Sequence, residues 1–314
     1  MKKIILILVT LAAILYGVSG CKQNQNAITR NVDGKINVSV TIFPPFDFVR
    51  QIARDRVNLT MLLSPGAESH SFEPSPRDII TIQNSNVFIY VGGDSDKWVY
   101  RILQSMNTDK MKILAMIDTV DAVEEEIVEG MEAEDEDEIA YDEHVWTSPR
   151  NVILIINAIT ELLSEADPAN AAFYRQNAAT YNEELAQLDI AFREVVAGAN
   201  RNTIVFADRF PFRYFADAYG LTYFAAFPGC STETEASAAT VAFLINKIRT
   251  EKIPVVFHIE LSNERMADTI SGETGAKKLL LHACHNISKQ DFDAGLGYLD
   301  FMRRNVENLR EALH

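Results

Sequence analysis

The sequence predicts an α/β protein of two lobes, each a parallel four-stranded sheet wrapped by helices, with one long linker helix between them. Three observations carry this. Short β-branched runs alternate with amphipathic stretches of helical period, the pattern of strands joined by crossover helices. The rhythm pauses after residue 117 and resumes at residue 202. Within the pause lies an uninterrupted helical pattern of roughly 30 residues, about 45 Å of helix. With about 280 residues to order, a single hydrophobic core is at the size where it divides.

The N-terminal segment belongs to neither lobe. Lys2 and Lys3 precede the apolar run Ile4 to Tyr16, which is shorter than the roughly 20 residues of a bilayer span and matches the core of a secretory signal. It ends in "GVSGC", which resembles a bacterial lipobox. Residues 1–20 are therefore expected to be a lipoprotein signal peptide and Cys21 the lipidated first residue of an extracytoplasmic chain anchored to the cell membrane. Residues 21–35 are polar and aperiodic, as a flexible tether would be.

The first lobe is expected over residues 36–167. Its strands are "INVSVTIF" (36–43), "VNLTMLL" (57–63), "NVFIYVG" (86–92) and "MKILAMI" (111–117), with helices in "FDFVRQIA" and near 77–84 and 95–106. The stretch "GAESHSFEPSPRD", Gly66 to Asp78, is a loop, because Gly66, Pro74 and Pro76 break helix and ladder alike, and it carries His70. An acidic loop follows over 123–143, where twelve of 21 residues are Asp or Glu with no Lys or Arg. Self-repulsion should keep most of it disordered and concentrate cations beside His144, which directly follows it in "YDEHVWTSPRN".

The linker helix is expected over 168–199, with Asp167 as N-cap and Pro168 in its first turn. Leu185, Leu188, Phe192 and Val195 recur at three- and four-residue spacing, so one stripe should pack on the lobes. The second lobe, 200–314, has strand patterns "NTIVFAD" (202–208), "LTYFAAF" (221–227), "IPVVFHIE" (253–260) and "KKLLLHA" (277–283). Besides Cys21 the chain holds Cys230 and Cys284. An oxidising compartment favours one disulfide stapling this lobe over two free thiols. The formal charge of −15 becomes two units more negative once Lys2 and Lys3 are removed. That excludes nucleic acid as a partner, limits membrane contact to the anchor, and favours a cationic ligand.

These pieces together resemble a bacterial metal-binding lipoprotein of the zinc/manganese ABC-transporter solute-binding family. The carrying segments are the lipobox, "GAESHSFEPSPRD", "DEHVWTSP" after its acid-rich loop, the long helix, "RYFADAYGL" (213–221) and "ISGETGAKKLLLH" (270–282), spread over nearly all of the mature chain. The resemblance implies a monomeric receptor that captures metal between its lobes and hands it to an ABC permease, with no catalytic role. It implies four ligand positions. His70 and His144 fill two. The third falls by strict count on Arg209, whose guanidinium cannot ligate a cation, so a shift of one residue offers Asp208. The fourth falls on His282, with His285 three residues later.

Three imidazoles with at most one carboxylate favour zinc over manganese, which is better served by oxygen, although Cu²⁺ and Ni²⁺ would also bind such a set. Manganese is the alternative cargo. His258, in mid-strand, and His314, at the terminus, are not expected as ligands. A different class of function is a secreted zinc metalloenzyme with Glu260 or Asp208 as general base, but no H-E-x-x-H or other hydrolase motif is present. Adhesion is a third, binding role.

Overall fold

The computed structural model describes residues 34–69, 72–131, 141–231 and 236–314. The expected signal peptide, Cys21, most of the tether and His70 lie outside the described residues. Among the described residues no helix is long and apolar enough to cross a membrane.

The first half opens with β1 (Ile36–Val40). It runs directly into α1 (Phe43–Ala53), which starts earlier than the apolar pattern suggests because Pro44 and Pro45 occupy the first turn, where no amide donor is needed. β2 (Val57–Met61), α2 (Pro76–Gln83), β3 (Val87–Tyr90), α3 (Lys97–Ser105) and β4 (Lys112–Ala115) follow. Ser75 starts α2 with a capping box, accepting from Asp78 N while the Asp78 carboxylate accepts from Ser75 N. The four strands form the expected parallel sheet in the order β2-β1-β3-β4, with Val38 of β1 opposite both Leu59 and Val87.

A helical spine separates the halves. α4 (Pro149–Ala166), which the sequence reading passed over, runs into a 3₁₀ turn at Pro168–Asn170 and then α5 (Ala171–Ala197). The single helix expected from 168 is thus a turn followed by a helix. Asp167 makes no backbone cap; its buried carboxylate accepts instead from Asn170 Nδ2 at 2.6 Å and from Tyr174 Oη at 2.8 Å. The predicted stripe Leu185, Leu188, Phe192 and Val195 is buried, and α5 packs along α4 and against α1.

The second half contains β5 (Thr203–Val205), β6 (Arg209–Phe210), α6 (Arg213–Tyr219), β7 (Thr222–Phe224), β8 (Phe227–Pro228), α7 (Ala238–Glu251), β9 (Val255–His258), α8 (Arg265–Thr274), β10 (Lys277–Leu280), α9 (Lys289–Asp293) and α10 (Tyr298–Leu313). β5 pairs with β7 and β9 with β10, all parallel. A parallel bridge at Phe206 and Phe257, with Ala207 N donating to Phe257 O at 2.8 Å, joins the two pairs. The expected strand 221–227 is split. Its end forms β8, which pairs with the unforeseen β6 and brings Arg209 and Gly229 beside the central cleft.

Two expectations need correction. Cys230 and Cys284 are free thiols, not a disulfide. Cys284 is buried in the main core, its Sγ 3.9 Å from the carbonyl of His282, whereas Cys230 lies beside the acidic segment, its N–H donating to Glu125 Oε1 at 2.9 Å. The acidic run is also not simply a solvated loop. Residues 132–140 lie outside the described residues, but its ends are tied: Glu124 bridges Tyr141, and Asp142 N donates to Val123 O at 2.9 Å. Glu126 accepts from Tyr223 Oη at 3.0 Å and pairs with Arg213 at 3.4 Å.

Candidate metal centre

The C-terminal ends of parallel strands converge on a cleft between the halves, where open α/β sheets place their ligands. It is lined by Thr41, Ser69, Phe72 and Asp96 together with Glu143, His144, Trp146 and His285.

His144 and His285 meet there with ring centroids 4.6 Å apart. Each is aimed by a carboxylate. Asp142 Oδ1 accepts from both His144 N at 2.7 Å and His144 Nδ1 at 2.9 Å, which leads a metal to Nε2. Burial works to lower the His144 pKa, but Asp142, joined by Glu143 and Glu125, offsets it and the ring is more basic than usual. Glycine is required behind this ring, because a Cβ on Gly229 would stand 2.9 Å from Phe210 O and 3.0 Å from His144 Cε1.

His285 is built by Glu260, just beyond β9. Its carboxylate accepts from Ala283 N at 2.7 Å and His285 N at 2.8 Å, and Oε1 lies 3.4 Å from His285 Nδ1. The turn it gathers passes through Cys284 in the left-handed region, φ 64°, a conformation costly for a residue with a Cβ. Burial pushes the Glu260 carboxyl up, yet the imidazoles of His282 and His285 hold it at about 2, so it stays ionised. Trp146 ties both histidines together: its Nε1 donates to Ala283 O at 2.7 Å, and its ring lies 5.5 Å from each imidazole.

The other expected ligands are not brought to this pair. His282 stacks on Phe301 at 4.1 Å, and its Nδ1 accepts from Cys284 N at 3.0 Å. Asn305 holds its backbone from both sides, at 2.8 Å each. It packs as a core histidine, and of the two imidazoles it is His285 whose ring lies beside His144. Asp208 turns away, accepting from Arg209 N at 2.9 Å and Ile259 N at 3.4 Å. His258 and His314 face the carbonyls of Ile259 and Val195, at 3.1 and 3.0 Å. Among the described residues no group of three or more His, Cys, Asp or Glu side chains is assembled to hold a metal ion. The described neighbours of His70, Ser69 and Phe72, both line the cleft.

Sequence reasoning missed the two anchoring carboxylates. Asp142 carried a local signal, lying two residues before His144 and able to reach its backbone as Asp side chains do in turns. Glu260 carried none, because 25 residues separate it from His285.

Two parallel α/β halves on a helical spine, with imidazoles facing each other in the cleft between, give the chain the two-lobed fold of solute-binding proteins. The chain belongs to the family described as zinc-uptake complex component A, periplasmic, whose model matches residues 38–312. It is 31% identical to the zinc-binding lipoprotein AdcA of Streptococcus pneumoniae (strain ATCC BAA-255 / R6), a match covering 99% of this chain and 61% of that protein. The chain thus spans 61% of the length of these streptococcal relatives. It is 30% identical to the high-affinity zinc uptake system protein ZnuA of Bacillus subtilis (strain 168), over 98% of this chain and 97% of that one. The Zn(II)-bound ZnuA-like domain of S. pneumoniae AdcA has the same fold at TM-score 0.75 and 30% identity, over 89% of this chain and 99% of that chain. The metal-dependent lipoprotein YcdH from B. subtilis matches at TM-score 0.76 and 29% identity, with the same coverage.

Proposed function

We propose that this chain is a monomeric extracytoplasmic receptor, anchored through a lipid on Cys21, that captures zinc and delivers it to an ABC permease. The observation that carries the reading is the His144–His285 pair, two rings 4.6 Å apart in the cleft, each with its Nδ1 edge turned to a carboxylate. Imidazole nitrogen is a good donor for Zn²⁺, and the carboxylates fix the ring orientation that ligation needs. His70 supplies a third nitrogen in this reading, supported by the cleft positions of Ser69 and Phe72. Binding, not catalysis, fits the wall of the cleft: Glu260 and Asp208, the two general-base candidates, are spent on backbone N–H groups. Manganese is disfavoured by the same nitrogen-rich pair.

Titration of metal-stripped protein with zinc against a competing chelator tests this. His70→Ala, His144→Ala and His285→Ala should each weaken binding about 10- to 100-fold or more, while His282→Ala, corrected for any loss of folded protein, should not. An unchanged dissociation constant in His144→Ala and His285→Ala would sink the reading.

A further inference from the structure

Among the described residues, five carboxylates at or beside the cleft are each engaged by a nitrogen donor of the protein. Asp142 is turned to His144, and Glu260 holds the turn before His285. Glu143 Oε1 accepts from Ser95 N at 2.6 Å. Asp96 Oδ2 accepts from Val91 N at 2.8 Å and Gly92 N at 3.1 Å. The fifth is Glu68, next to the cleft-lining Ser69, and of these five it is the one paired with a charged side chain from the other half. Arg209 Nη1 lies 3.4 Å from Glu68 Oε1 and Nη2 lies 3.3 Å from Oε2, a two-pronged grip on both oxygens.

Arg209 is itself fixed. Its residue is 8% exposed, its Nη1 also donates to Ser231 O at 3.3 Å, and its backbone is paired in β6 with β8. Glu68 is the more exposed partner, with 44% of its side chain exposed. Its backbone is tied to the other half: Gly66 N donates to Ile287 O at 2.8 Å, and Asn286 Nδ2 donates to Ser64 O and Ala67 O at 2.8 and 2.9 Å. Replacing Arg209 therefore removes this grip on the carboxylate while the loop that carries it stays docked beside the cleft.

We infer that Arg209 is a specificity-determining residue that keeps the Glu68 carboxylate away from the cation, so that the cleft offers nitrogen donors and discriminates against oxygen-preferring ions such as Mn²⁺. This rests on the receptor reading above. Carboxylate oxygen suits Mn²⁺ and imidazole suits Zn²⁺, so releasing one carboxylate at the cleft should move the ratio of the two affinities rather than abolish binding.

The test measures zinc dissociation constants by chelator competition and manganese constants by calorimetry, on the metal-stripped chain. Arg209→Met should raise manganese affinity relative to zinc at least tenfold, and the double variant Arg209→Met, Glu68→Gln should return the ratio to that of the wild type. Glu68→Gln alone should leave it unchanged. An unmoved ratio in Arg209→Met, a double variant that is not restored, or a shift caused by Glu68→Gln alone overturns the inference. If Arg209→Met does not fold, Arg209→Lys takes its place, keeping a cation that cannot grip both oxygens; a threefold or larger shift is then expected, and none overturns it. Wild-type protein that fails to bind zinc would instead defeat the receptor reading. A normal zinc site with an unmoved ratio defeats this inference only.

Discussion

Asp96 lies in the cleft wall at the turn after β3, with only backbone amides to compensate its charge. Burial, reinforced by the neighbouring Glu143 against the donors of Gly92 and Val91, raises its carboxyl to about 7. In the unfolded chain it titrates at about 3.9. Between those values the folded protein holds a proton that the unfolded chain has lost, so stability falls as pH rises from about 4 to about 7 and levels off above. Glu143, Glu125 and Asp208, also raised mainly by burial, act with the same sign. Urea unfolding of the metal-stripped protein should therefore show lower stability at pH 8 than at pH 5, and Asp96→Asn should reduce that difference. Equal pH dependence in the two proteins would place the titration elsewhere. Gly93 belongs to the same turn: with φ 80° and a would-be Cβ 2.5 Å from Glu143 Cγ, only glycine lets the chain pass this carboxylate.

At the scale of elements, α5 is the frame against which the first half and the α6 region are set. Phe192 on its buried stripe meets Phe215 at 4.8 Å and Tyr219 at 5.4 Å, both on α6. Asp189, one turn earlier, accepts from Arg150 Nε of α4 and Tyr219 Oη at 3.0 Å each and also pairs with Arg193. One face of the helix thus fixes α4 and α6 through apolar and ionic contacts together. Truncating a fully buried aromatic leaves a cavity that such a frame cannot close, and typical losses are about 3 to 5 kcal/mol. Phe192→Ala should lower the urea midpoint accordingly with an unchanged slope, whereas Ile190→Ala, on the exposed side of the same helix, should cost well under half as much. Equal costs would mean that the stripe does not carry the packing.

At the scale of the molecule, the two halves meet through more than the spine. Gly66, Asn286 and the Arg209–Glu68 pair clasp the β2–α2 loop to the second half, and Arg50 Nη2 donates to Leu296 O at 2.9 Å across the same boundary. A metal held by residues of both halves would reinforce this clasp. The whole assembly is acidic, with a formal charge of −15, which raises the local concentration of cations around the cleft. Lipid anchorage is testable in cells. Growth with labelled palmitate should mark the wild-type protein and leave Cys21→Ala unmarked and released to the medium, and equal labelling of the two would remove the anchor from the proposal.

The sequence by itself determined the α/β class, the parallel first sheet and the long helix with its buried stripe, and it singled out His144 as a candidate, because these rest on local periodicity, turn residues and a motif read along the chain. Local patterns stopped short wherever a partner lies far away in sequence. Only the tertiary structure separated His285 from His282: the turn around Glu260, with Cys284 in the left-handed region, sets one ring beside His144 and the other onto Phe301. Only the fold kept Cys230 and Cys284 apart, and only the fold showed Arg209 gripping Glu68 across 141 residues. The physical reason is common to all three. Ligation, disulfide pairing and ion pairing depend on side-chain directions set by packing between halves, and a linear pattern records which groups are available without recording which of them will face each other.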